Sequence, residues 1–63
     1  MTATAWKRAL RELERSGCVI LSDGCTVSKH YGAYGIEYSL YAKSGDCVTV
    51  EWDLRKIAAL VVD

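Results

Sequence analysis

From Gly35 to Trp52 the apolar residues alternate on both sides of a Lys43-Ser44-Gly45 segment, and no other stretch limits the possible folds as strongly. Alternation with period two marks a half-buried strand, so Ile36, Tyr38, Leu40 and Ala42 share one face while Glu37, Ser39, Tyr41 and Lys43 share the other. On the return, Val48, Val50 and Trp52 alternate with Cys47, Thr49 and Glu51. A three-residue loop with Gly45 in the left-handed conformation pairs Leu40 with Val48, Tyr38 with Val50 and Ile36 with Trp52, joining the two apolar sets. A two-residue Ser44-Gly45 loop would set Leu40 opposite Thr49 and mismatch the faces. The expectation is a hairpin whose apolar face is Ile36, Tyr38, Leu40, Val48, Val50 and Trp52.

Upstream, Trp6, Ala9, Leu10 and Leu13 recur at helical spacing, with Thr2 or Thr4 as the N-cap and Gly17 suited to the left-handed position that ends a helix. The opposite side carries Lys7, Arg8, Arg11, Glu12, Glu14 and Arg15. Lys7, Arg11 and Arg15 form a cationic ridge at four-residue intervals, and Arg8 can pair with Glu12. Cys18 to Leu21 and Cys25 to Ser28 flank Ser22-Asp23-Gly24, a strong hairpin signal. A three-residue loop there pairs Leu21 with Cys25 and Val19 with Val27, a two-residue loop pairs Ile20 with Val27, and both leave acceptable faces. Lys29 to Gly35 reads as a connection because Gly32 and Gly35 admit unusual conformations. Asp53 is placed to cap a final helix with the stripe Leu54, Ile57, Ala58 and Val61, while Leu60 and Val62 fall off that stripe. The fold class expected is α+β: an N-terminal helix, two β-hairpins forming a mainly antiparallel sheet of three to four strands, and a C-terminal helix, with helices on one face. Residues 1–63 form a single small domain.

A chain of 63 residues buries only about 60% of the surface its unfolded form exposes, so a partner or a second copy is a natural way to complete the core. Its hydrophobic content of 51% argues against disorder. Eight Lys or Arg balance eight Asp or Glu, so the basic excess common in nucleic-acid-binding domains is missing. The charges are uneven: residues 1–29 hold five cations and three anions, and residues 30–63 hold three cations and five anions. The apolar run Ile57 to Val62 is far short of the roughly 20 residues that cross a bilayer, so no membrane partner is expected. Three cysteines without a CxxC pair and no secretory leader suit a reducing, cytoplasmic setting.

His30 is the only histidine, with Lys29, Tyr31 and Glu37 as neighbours from which an acid or base could be assembled, yet sequence neighbours alone do not establish that geometry. Cys18, Cys25, Cys47 and His30 match a tetrahedral zinc site in number and kind, but not in the short spacing that zinc knuckles use; no metal and no cofactor are expected. No GxGxxG or Walker sequence marks a nucleotide site.

The passage from Glu12 to Leu21, followed by strands and a closing Asp53-Leu54-Arg55-Lys56-Ile57 helix, resembles in order of elements the HicA-type toxins. These are small mRNA interferases with a helix, a three-stranded sheet and a second helix, related to the double-stranded-RNA-binding fold. Where that family has a catalytic histidine closely following a glycine, this chain has Gly24-Cys25-Thr26, and its histidine is His30. The resemblance implies an RNA-directed function in which Lys7, Arg11, Arg15 and Lys29 touch phosphates and His30 transfers a proton. The residues themselves favour a different class, a non-enzymatic protein-interaction module. It would bind a protein partner through its sheet face, its aromatic loop or its C-terminal helix, with Tyr31, Tyr34 and Tyr41 as the exposed aromatics best suited to anchor it and Leu60 and Val62 as further apolar groups outside the core; a homodimer is a further expected partner. In size and style it is similar to small phage or mobile-element proteins that inhibit host machinery, defence systems included.

Overall fold

The computed structural model describes residues 1–63. Helix α1 spans Ala3–Ser16. Of the two candidate caps Thr2 is the one used: its backbone is extended and its Oγ1 accepts a hydrogen bond from the Ala5 amide at 3.1 Å. Gly17 closes the helix at φ 80°, where its N–H donates to the Leu13 carbonyl at 2.8 Å, a conformation that a residue with a Cβ resists. Glu12 pairs with Arg15 rather than with Arg8. The reason is orientation, since an acid N-terminal to its cation is the favourable order on a helix.

Four strands follow, β1 (Cys18–Ile20), β2 (Thr26–Gly32), β3 (Gly35–Tyr41) and β4 (Cys47–Glu51), then helix α2 (Leu54–Val61). The sheet order is β1-β2-β3-β4 and every neighbouring pair is antiparallel, so the sheet is a simple meander. The first hairpin takes the three-residue form: Leu21 N–H donates to the Cys25 carbonyl at 2.7 Å and Val19 stands opposite Val27. The Asp23 carboxylate accepts from the Cys25 amide at 3.0 Å and fixes this turn. Residues 29–35 are not an irregular connection. β2 and β3 pair without interruption from Thr26↔Tyr41 to Gly32↔Gly35, leaving only Ala33-Tyr34 as the turn.

The last hairpin departs from its expected register. The Lys43-Ser44-Gly45 loop forms as its residues predict, with Gly45 at φ 96°, Ala42 N–H donating to the Asp46 carbonyl at 2.8 Å, and Tyr41 opposite Cys47. Then a β-bulge inserts Val48, and the next pairs are Leu40↔Thr49, Ser39↔Val50 and Tyr38↔Glu51. One extra residue turns every following side chain to the other face. Val48, Val50 and Trp52 therefore do not join Leu40 in the core; they are exposed by 54%, 49% and 68%.

Both helices cover the same face of the sheet. The core is Trp6, Ala9 and Leu13 from α1, Leu21, Val27 and Leu40 from the sheet side, and Ile57 from α2, with Leu10, Val19, Tyr38, Leu54, Ala58 and Val61 packed around it. Asp53 caps α2 as its position predicts, accepting from the Arg55 amide at 2.9 Å. Hydrogen bonds join Met1 to Val61 and Asp63, tying the start of α1 to the end of α2.

Candidate functional site

The sheet face without helices is the most distinctive surface of the molecule. Strand alternation and register place Cys18 and Ile20 of β1, Thr26, Ser28 and His30 of β2, Glu37, Ser39 and Tyr41 of β3, and Val50 of β4 on it, with Cys47, Val48 and Trp52 continuing the β4 edge. The two outer strands carry the apolar groups, Ile20 exposed by 74% on one side and Val48, Val50 and Trp52 on the other. A solvated antiparallel face normally presents polar residues at these positions.

Between them lies a polar centre. The Nε2 of His30 is 2.8 Å from the Ser39 hydroxyl, and its Nδ1 is 3.9 Å from the Glu37 carboxylate. Serine, histidine and carboxylate in this order are also the parts of a nucleophilic relay. Here the serine is only 2% exposed, and its own segment of backbone is paired with strands on both sides, Ser28 and Val50. The arrangement satisfies a buried hydroxyl and orients the imidazole.

No lysine or arginine stands on this face. Lys7, Arg8, Arg11 and Arg15 belong to α1, on the far side of the sheet. Lys29 projects toward α1 and meets Glu14 at 3.4 Å, Lys43 is in a turn, and Arg55 and Lys56 belong to α2. The cationic ridge is itself partly neutralised. Arg15 is bound by Glu12, whose carboxyl that guanidinium, helped by the Ser16 hydroxyl, holds below the usual range, while Lys7 and Arg11 stand free of carboxylates.

The candidate aromatics do not form one cluster. Tyr31 and Tyr34 project from the tip of the β2–β3 hairpin with exposures of 80% and 89%, whereas Tyr41 is half-buried on the open face, opposite Thr26 and Cys47. The cysteines are also dispersed, Cys18 and Cys47 on opposite outer strands and Cys25 in the first turn, and no three histidine, cysteine or carboxylate side chains converge on a point. Burial, aided by the neighbouring Asp23, raises the pKa of the Cys25 thiol. The surface has one shallow depression, lined by Val50, Glu51, Trp52, Asp53 and Lys56 at the edge of the open face.

Ile20, Val48, Val50 and Trp52 are the surface residues that sequence reasoning missed. For β4 the reason is the bulge, which has no glycine or proline to announce it. For Ile20 a signal existed, because settling the first hairpin in its three-residue register puts Val19 inward and Ile20 outward. Compared with protein-family models, curated proteins and solved structures, the chain matches none.

Proposed function

We propose that this chain is a protein-interaction module and that its binding surface is the open face of the sheet. One observation carries the reading: the face is apolar along both outer strands, and its strands present no lysine or arginine, the nearest cation being Lys56 of α2 at the border beside Val50 and Trp52. Four of the eight exposed large hydrophobics, Ile20, Val48, Val50 and Trp52, border this one face; contiguous exposed apolar area marks a contact surface, and aromatic groups such as Trp52 and Tyr41 are the usual anchors of such contacts. Tyr31 lies in phase with Val27 and Lys29 on the helix side of β2, and Tyr34 is in the turn, so the hairpin-tip tyrosines stand apart from this surface. No chemistry is required of the module, and inhibition of a protein target by occlusion fits its size.

An RNA-directed role would have to use the other side of the molecule, where Lys7 and Arg11 are unpaired. Two experiments in parallel separate the readings. In affinity capture from the native cell, a protein partner held by wild type should be lost with Val50→Glu and kept by a Lys7→Ala/Arg11→Ala double variant. Titration with labelled RNA at two salt concentrations should show no tight complex. Binding that weakens steeply with salt, vanishes with Lys7→Ala/Arg11→Ala and ignores Val50→Glu would assign the function to the basic helix instead.

A further inference from the structure

Resting on the reading of the open face as a binding surface, we infer that its occupant is a second copy of this chain. The two copies pack open face to open face about a two-fold axis that runs between β2 and β3, parallel to the strands.

A four-stranded meander has its midline between the second and third strands, so this rotation lays β1 of one copy over β4 of the other and β2 over β3. Positions along the strands are preserved. The side chains are complementary under that operation. Ile20 shares a row with Thr26, Tyr41 and the Cys47-Val48 bulge, so it meets Val48 of the second copy, and the reverse contact repeats the pairing. Cys18, in the row of Ser28, Ser39 and Val50, meets Val50 in the same manner. At the centre His30 and Glu37 stand opposite one another in the sheet, so each imidazole comes to lie over the other copy's carboxylate and each carboxylate over the other copy's imidazole. Apolar edges cover apolar edges, and the one histidine–carboxylate pair of the face is matched twice.

Charge and size agree. The chain has no net charge and the face no lysine or arginine, so two copies do not repel. From their fractional exposures, the face residues present on the order of 700 Å² per copy, so a pair that covered the whole face would bury at most on the order of 1,400 Å², within the range of specific interfaces. Sheets packed this way sit about 10 Å apart, which interdigitated Ile and Val side chains fill. The need is also present, since only seven hydrophobic residues are buried in the single copy, and association is a common remedy for so small a core. Edge-to-edge pairing is the poorer alternative, because one free edge is a three-residue strand and the other carries the bulge.

The test is sedimentation velocity on the full chain from about 1 μM to about 1 mM, spanning the affinities expected of an interface this size. Wild type should move from a 7.0 kDa species to one of twice that mass. Ile20→Lys and Val48→Glu, both at exposed positions, should each remain monomeric, with near-ultraviolet circular dichroism confirming that each is folded. Mixed in equal amounts, the two variants should associate again, because the two-fold sets the introduced ammonium over the introduced carboxylate in one contact and leaves Val48 over Ile20 in the other. A wild-type monomer at every concentration overturns the proposal, and so does a failure of the two monomeric variants to associate when mixed. Neither result touches the interaction module itself, which stands or falls separately on capture of a protein partner that Val50→Glu abolishes.

Discussion

Truncating Leu40 and Val50 in parallel tests the register of the sheet, because the bulge at Val48 puts these residues in opposite environments. Leu40 is 3% exposed and packs among Trp6, Leu13, Leu21, Val27 and Ile57, whereas Val50 is 49% exposed on the open face. Leu40→Ala removes three buried carbons and leaves a cavity, which costs about 3 kcal/mol. A domain of this length has a total stability of roughly 3 to 9 kcal/mol, so that single change removes a third or more of it. Val50→Ala removes two carbons already half in water and should cost only about 0.5 kcal/mol. Urea unfolding followed by tryptophan fluorescence resolves the difference, since a slope near 1 kcal/mol per M turns about 3 kcal/mol into a midpoint shift of about 3 M. The protein is best held near 1 μM, where self-association contributes least to stability. Without the bulge, Val50 would face the core with Leu40 and the two substitutions would be comparably damaging. Equal losses would refute the bulged register.

Three further outcomes are expected. Glu12, Asp23 and Asp53 all have carboxyl pKa values lowered in the folded chain, by Arg15 at Glu12, by the Cys25 amide at Asp23 and by Arg55 at Asp53. Depressed folded values mean stability that is complete above the unfolded carboxyl range, about 3.9 to 4.3, and is lost as pH falls through the lower folded values. Urea midpoints should therefore be flat above about pH 5 and decline below about pH 4, and Asp53→Asn, which still caps α2, should decline less steeply; a midpoint unchanged at about pH 3 would contradict this. Alkylation with iodoacetamide at neutral pH should label Cys18 and Cys47 before Cys25, whose thiol is partly buried with a raised pKa, and peptide mass spectrometry reads the order directly. Tyr31→Ala and Tyr34→Ala should leave the melting temperature within about 4 °C of wild type, since substitutions at exposed positions rarely exceed about 0.5 kcal/mol. A larger fall in either would mean that the hairpin tip is packed rather than free.

The elements themselves were written in local sequence. Thr2 and Gly17 bound the first helix, Asp23-Gly24 and Lys43-Ser44-Gly45 turn the outer hairpins, and Asp53 opens the second helix; each acts through its own backbone or a neighbour one to four residues away. The helix stripes were legible for the same reason, because a period of 3.6 fixes which residues share a face before anything packs against them. Three decisions belonged to the tertiary structure. The first hairpin's register, open between two loops, closed on the one that sends Val19 and Val27 inward beneath α1. Pairing with β3 extended β2 through Lys29-Gly32, which no alternation of its own demanded. The bulge at Val48 let the chain place Thr49 beside Leu40 and turn Val48, Val50 and Trp52 outward, although their spacing predicts the reverse. A period of two specifies that alternate residues share a face, but not which face is covered; that is settled only when the helices choose a side. In this protein one inserted residue made the choice, and it left a valine and tryptophan edge on the face that the helices do not reach.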